Sequence, residues 1–192
     1  MLRSCTRRIW KSYGEVRRYA TSSEIGSYFR EHRDHLFWMA LVITGSEELA
    51  ESSIAAACKN PTHGQSVFLD WIGQWAQHAV VRSAIAAIKD DIASAAIAYQ
   101  CQSCEHGEHE GLSETETRAL RMIEPREIFT ELDSLARSIL ILRALRNTTT
   151  YDCVAAMGVP RATVVAAYCR ALTWLRARQI PEPALVANSA VK

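Results

Sequence analysis

The chain has 192 residues, 48% of them apolar, and its 22 Lys or Arg against 21 Asp or Glu leave a net charge of +1, which singles out no class of partner. That length holds one ordinary domain or two small lobes, and lobes of under about 100 residues must be largely helical to bury a usable core. Eight glycines, five prolines and a near absence of alternating apolar and polar residues weigh against a mixed helix-and-sheet fold, so an all-α protein is expected.

Residues 1–20 carry six basic groups and one acid without an apolar run of signal-peptide length, and read as a basic N-terminal extension. No stretch approaches the roughly 20 apolar residues that span a bilayer, so a cytoplasmic protein without membrane insertion is expected. Thr21 with Glu24 forms a capping box for a helix carrying Phe29, Leu36, Ala40 and Ile43 and ending near Gly45. Ser46 caps the next helix, with Glu47 and Glu48 where its dipole favours negative charge, and Asn60-Pro61 closes it. A third helix places Phe68, Trp71, Ile72, Trp75, Ala79, Arg82 and Ile85 on one broad face and runs on towards Tyr99. On that stripe Trp71 and Trp75 read as core residues before they read as stacking platforms for unpaired bases.

From 101 to 111 the chain is polar and glycine-punctuated, and a domain boundary is placed there, between a helical domain at 21–100 and a second at 112–178, with a tail at 179–192. Ser113 and Glu116 offer another capping box for a short helix before Pro125, and Ile128 to Arg146 predicts an apolar helix through Leu132, Leu135, Ile139, Leu142 and Leu145. Thr150 caps a short helix, Tyr151 to Met157, with Val154 and Ala155 facing inward, and Gly158 supplies its left-handed end. Pro160 then suits the start of a helix in which Val164, Tyr168, Ala171 and Leu175 repeat on one face. Two helices sharing a small core through a glycine turn make a helix-turn-helix, a device that reads duplex DNA.

Charge is blocked along the chain. Residues 90–131 hold ten acids and three basic groups, whereas 132–178 hold seven arginines and two acids. A basic end joined to the body through an acidic linker suits a protein whose parts meet different partners. The outward side of the last helix offers Arg161, Ala162, Val165, Ala166, Arg170, Thr173 and Arg176; arginine holds phosphates or reads guanine, and Ala or Val touches a thymine methyl.

The run Val154-Ala155-Ala156-Met157-Gly158-Val159, followed by Thr163-Val164, Arg170-Ala171 and Leu175-Arg176 and preceded by Ile139 to Arg143, resembles the promoter-reading region of bacterial sigma factors of the extracytoplasmic-function type. Tyr28 to Leu36 with Thr44-Gly45, and Phe68 with Trp71-Ile72, resemble that family's second conserved region, in the family's order. The resemblance covers most of the chain and implies two small helical lobes joined by an acidic linker, the C-terminal lobe carrying the helix-turn-helix. It further implies that the first lobe docks on core RNA polymerase and holds the melted promoter strand while the second reads promoter duplex. On these positions Arg161, Thr163, Val165, Ala166, Arg170 and Arg176 are the expected DNA-facing residues, and Glu48 and Glu51 the polymerase-facing ones.

The chain departs from the family's pattern at several contact positions. Ser52, Ser53, Ala55 and Ala56 stand where acids and an amide are usual. The third helix has Gln77, His78, Ile85 and Ala86 with only Arg82 and Lys89 as nearby cations, and Val165-Ala166-Ala167 replaces a polar and basic triplet. Two rival readings therefore stay open: a degenerate sigma-like interaction module that binds an anti-sigma factor or polymerase without melting promoters, and a duplex-binding regulator whose first lobe dimerises or senses.

Cys101, Cys104, His106 and His109 supply the ligand types of tetrahedral zinc, although the two pairs lie too close for a zinc finger, and the segment reads as a polar linker before a metal site or dithiol switch. The scattered cysteines read as buried free thiols. There is no Gly-rich phosphate loop, no H-E-x-x-H and no G-x-S-x-G turn, so neither an enzyme nor a cofactor is expected.

Overall fold

The computed structural model describes residues 18–59, 67–99, 112–145 and 148–178. Among the described residues are ten α-helices, and the only β pairing is a single bridge between Tyr19 and Phe68, so the all-α expectation holds. No helix there is long and apolar enough to cross a membrane.

Local capping chemistry starts the helices where the sequence places it. Helix α1 (Ser22–Glu31) begins at Thr21, whose hydroxyl accepts from the Glu24 amide while the Glu24 carboxylate accepts from the Thr21 amide, a reciprocal bond that satisfies two otherwise orphaned donors. The single helix expected as far as Gly45 is in fact two. At His32 the backbone leaves helical geometry (φ −109°, ψ 19°) and restarts as α2 (Arg33–Thr44), which ends at Gly45 with φ 69°. Helix α3 (Glu47–Lys59) follows, its Leu49 amide reaching the Ser46 hydroxyl at 3.4 Å. The expected third helix is likewise divided, with a 3-10 turn at Leu69–Trp71, then α4 (Ile72–Ala87), a break at Ile88, and α5 (Lys89–Ile97).

Beyond residue 111, α6 (Glu114–Met122) carries its Ser113–Glu116 capping box as expected. The apolar run from Ile128 forms two helices, α7 (Pro125–Glu131) and α8 (Ser134–Ala144), because Leu132 and Asp133 take extended backbone and Asp133 Oδ1 caps α8 by accepting from the Ala136 amide at 2.9 Å. Helices α9 (Thr150–Met157) and α10 (Arg161–Ala177) close the described chain.

Nine of the eleven residues of α8 are buried, so this helix has no solvent face and must be enclosed by others. It packs on α2, α5 and α10, so helices before and after residues 101–111 share one apolar core. Arg137 on α8 joins the two parts directly, its Nε donating to the Ile43 carbonyl at the end of α2 at 2.8 Å. That bond satisfies one of the terminal carbonyls that a helix leaves without an internal partner. Ile139 and Leu140, both without solvent exposure, are among the side chains whose truncation to Ala costs about 2–5 kcal/mol.

Candidate nucleic-acid interface

The α9–α10 unit is assembled from short-range rules. Thr149, one residue before the expected cap, is the N-cap of α9: its hydroxyl accepts from the Asp152 amide, and Asp152 Oδ2 accepts from the Thr149 amide and hydroxyl, each at 2.7 Å. These bonds, the one from the Thr149 backbone foremost, hold the Asp152 carboxyl below its ordinary value. Gly158 ends α9 at φ 68°, and a Cβ there would meet nothing within 4 Å, so its requirement is one of backbone conformation and not of space. Pro160 precedes the first turn of α10.

Helix α10 is seated on α8 through Val164, Tyr168, Ala171 and Leu175, the stripe expected from the sequence, all of them buried. In α9 the inward residues are Cys153 and Met157; Val154 is half-buried and Ala155 exposed, contrary to expectation. Beneath the unit lies Arg143, only 6% exposed, whose guanidinium donates to the Thr148 carbonyl at 2.8 Å and sits 5.0 Å from the Tyr168 ring centre. One buried cation thus ties the entry to α9 to both α8 and α10. Burial pushes the Tyr168 hydroxyl upward from its ordinary pKa, against the opposing influence of Arg143.

The residues expected to face DNA fall into three groups. Arg161 is exposed at the start of α10, its guanidinium 5.5 Å from the centre of the exposed Tyr151 ring, and Val165 is half-buried beside it. Thr163 and Ala166 are buried at 3% and 5% exposure, which corrects the expectation that they point outward. Helix α10 is flanked by α6 as well as α8 and α9, so its buried arc is wider than the single stripe that sequence periodicity reveals. Arg170 and Arg176 reach the surface but are engaged within the molecule.

Arg170 donates to Asp133 Oδ2 at 2.9 Å and lies 3.3 Å from the Tyr99 hydroxyl, which itself donates to the same carboxylate oxygen. Desolvation, and then the bond to Asp133, raise the Tyr99 pKa well above that of a free phenol. Arg176 Nε donates to Glu116 Oε1 at 2.8 Å. Burial works to raise the Glu116 carboxyl, but the hydrogen bonds from Ser113 and Arg176 outweigh it and the net shift is downward. Arg178 pairs with Glu131, which also accepts from Trp174 Nε1 at 3.1 Å, and the Arg178 guanidinium stacks 4.4 Å from the Trp174 ring centre. The arginine bond is the main reason the Glu131 carboxyl is held below its ordinary value.

All these carboxylates come from residues 116–133, at and beside the end of the acidic block that reads from sequence as a linker. Glu116 and Glu131 belong to the acidic block and meet arginines of the basic block, a pairing for which their opposite signs were the one available signal, whereas Asp133 lies within the basic block itself. Along α10 the residues Ala162, Val165, Cys169 and Thr173 recur at helical spacing on the exposed or half-buried side and carry no charge of their own.

Glu48 and Glu51, expected to face polymerase, are both exposed on α3; Glu51 accepts from Arg33 of α2. Trp71 is 53% exposed and meets Phe68 edge-on, while Phe68 stacks on Tyr19 with ring centres 4.6 Å apart. This corrects the core placement of Trp71; Trp75 does pack inward, edge-on to Phe29. Among the cysteines, Cys153 is a buried free thiol, raised to about 11 by burial, whereas Cys58 is exposed and Cys169 is disulfide-bonded, so burial as a free thiol holds for only one of the three. Cys101, Cys104, His106 and His109 lie outside the described residues. Comparison of the chain with protein-family models, with curated proteins and with solved structures returns no match.

Proposed function

We propose that the chain is a sigma-factor-like initiation protein that binds core RNA polymerase and, through α9 and α10, promoter DNA. The observation that carries this reading is the α9–Gly158–α10 unit itself: a capped short helix, a left-handed glycine and a long helix packed on α8, with Arg161 and Ala162 exposed at its start. Helices that dock in a major groove do so with their N-terminal residues, which is where Arg161 stands. The exposed rings of Tyr19 and Trp71, packed about the half-buried Phe68, support a second contact, since exposed rings stack on unpaired bases at about 1–3 kcal/mol per base. Glu48 and Glu51 on α3 are the proposed polymerase-facing acids, and the cytoplasm is the proposed compartment.

The ion-paired Arg170 and Arg176, together with the uncharged residues Ala162, Val165, Cys169 and Thr173 of the same helix, favour a second reading: a degenerate sigma-like module that binds polymerase or an anti-sigma factor without melting promoters. A pull-down with core polymerase followed by run-off transcription separates the two. Promoter-specific transcripts support initiation, binding without transcripts supports the interaction module, and absence of polymerase binding overturns both.

A further inference from the structure

A cleft of about 530 Å³ runs between α4 and α9, a volume within the range of small-molecule sites. Its long wall is a stripe of α4 on which Gln74, His78, Arg82 and Ile85 succeed one another at helical spacing, with Lys89 just past the break at Ile88. From Gln74 to Ile85 this stripe extends about 16 Å, taking 1.5 Å of rise per residue. The opposite wall is formed by Ala155 and Ala156 of α9 and Leu142 of α8, an apolar patch flanked by Asp152 and Thr148.

Charge in the cleft is unbalanced. Arg82 and Lys89 outnumber the one acid lining it, Asp152, whose carboxylate accepts from the Thr149 amide and hydroxyl and is also attracted by His78 and Arg82. Thr148, only 7% exposed, lines the same wall, and its hydroxyl is buried without a hydrogen-bond partner. A buried hydroxyl in that condition carries a desolvation cost that a bound acceptor can relieve. Cations in excess on one wall, and an apolar patch with an unused donor on the other, describe a receptor for a molecule with an anionic head and an apolar body.

We propose that the α4–α9 cleft binds a small organic anion, its acidic group held by Arg82 and Lys89 and its apolar body laid against Leu142, Ala155 and Ala156. Because one wall precedes residues 101–111 and the other follows them, a ligand there contacts both parts of the molecule at once. This site is independent of the DNA-binding and polymerase-binding reading and stands or falls separately from it.

The test titrates the full chain with anilinonaphthalene sulfonate, an aromatic anion of this chemistry, and in parallel with uncharged phenylnaphthylamine, following fluorescence. One site is expected. The double substitution R82Q/K89Q, at two exposed positions, weakens the sulfonate about fivefold or more, as loss of a partly screened charge contact predicts, and leaves the uncharged analogue unaffected. Ala155→Trp, also at an exposed position, fills the cleft and removes both ligands. Competition by phenyl phosphate against benzoate then distinguishes a phosphate head from a carboxylate. Near-UV circular dichroism is recorded on each variant, since loosened folds also bind such dyes. Sulfonate affinity unchanged in R82Q/K89Q, or dye binding undiminished in a folded Ala155→Trp, overturns the proposal.

Discussion

Asp133→Asn tests the junction at which the candidate DNA-binding helix is held by the rest of the molecule. The asparagine retains an oxygen to accept from the Ala136 amide, so the cap of α8 survives, but its amide nitrogen replaces the oxygen that accepts from Tyr99 and Arg170. Tyr99 is 2% exposed, and depriving its hydroxyl of an acceptor costs about 2 kcal/mol. The Arg170 side chain is half exposed, so solvent screening limits its share to about 0.5 kcal/mol. A loss of about 2.5 kcal/mol in a chain of this size lowers Tm by about 8 °C. In a Tyr99→Phe background, where the hydroxyl is gone, the same substitution costs only the Arg170 share, so thermal or urea unfolding of the four species yields a coupling of about 2 kcal/mol. Equal costs in the two backgrounds would refute the assignment of this stability to the Tyr99–Asp133 bond. Release of Arg170 has a second consequence in the proposed function: the log–log salt slope of duplex binding steepens by about 0.9, one phosphate contact.

In the wild-type chain, Arg161→Gln, at the exposed N-terminal end of α10 where a groove-docking helix meets DNA, flattens that salt slope by about 0.9, and Arg170→Gln and Arg176→Gln, whose side chains pair with Asp133 and Glu116, are expected to change it by less than one phosphate contact; fluorescence anisotropy across a salt series checks this. The depressed pKa of Glu116 sets a pH dependence with a definite sign. Its contribution is fully present above the ordinary value of 4.5 and is lost as pH falls through the lower folded value, so the Tm gap between wild type and Glu116→Gln narrows steadily on acidification below that point. A gap that widens in acid contradicts the Arg176–Glu116 pairing. Gly158→Ala forces a side chain into left-handed backbone with no steric conflict, and calorimetry is expected to register a loss of about 1 kcal/mol, or about 3 °C in Tm. Leu140→Ala, in the centre of α8, is expected to cost about 3 kcal/mol and to unfold the described helices in one transition; two separated transitions would show that they do not share a cooperative core.

What the sequence determined by itself is the chemistry that acts over three or four residues. The Thr21–Glu24 and Ser113–Glu116 boxes, the left-handed glycines at 45 and 158, and the buried stripe of Val164, Tyr168, Ala171 and Leu175 are all legible because donor, acceptor and face lie within one or two helical turns. Even there a neighbouring threonine took the cap of α9, since Thr149 and not Thr150 stands three residues before Asp152. Periodicity did not reveal the breaks at His32, Ile88 and Leu132, because an apolar stripe continues across a bend when both pieces pack on the same core. Only the tertiary structure decided which charges are available to a partner. Arg170 meets Asp133 across 37 residues, Arg176 meets Glu116 across 60, and Arg137 reaches the Ile43 carbonyl across 94. Coulombic attraction depends on separation in space, and a count of charges along a chain carries no information about that distance until the helices are packed.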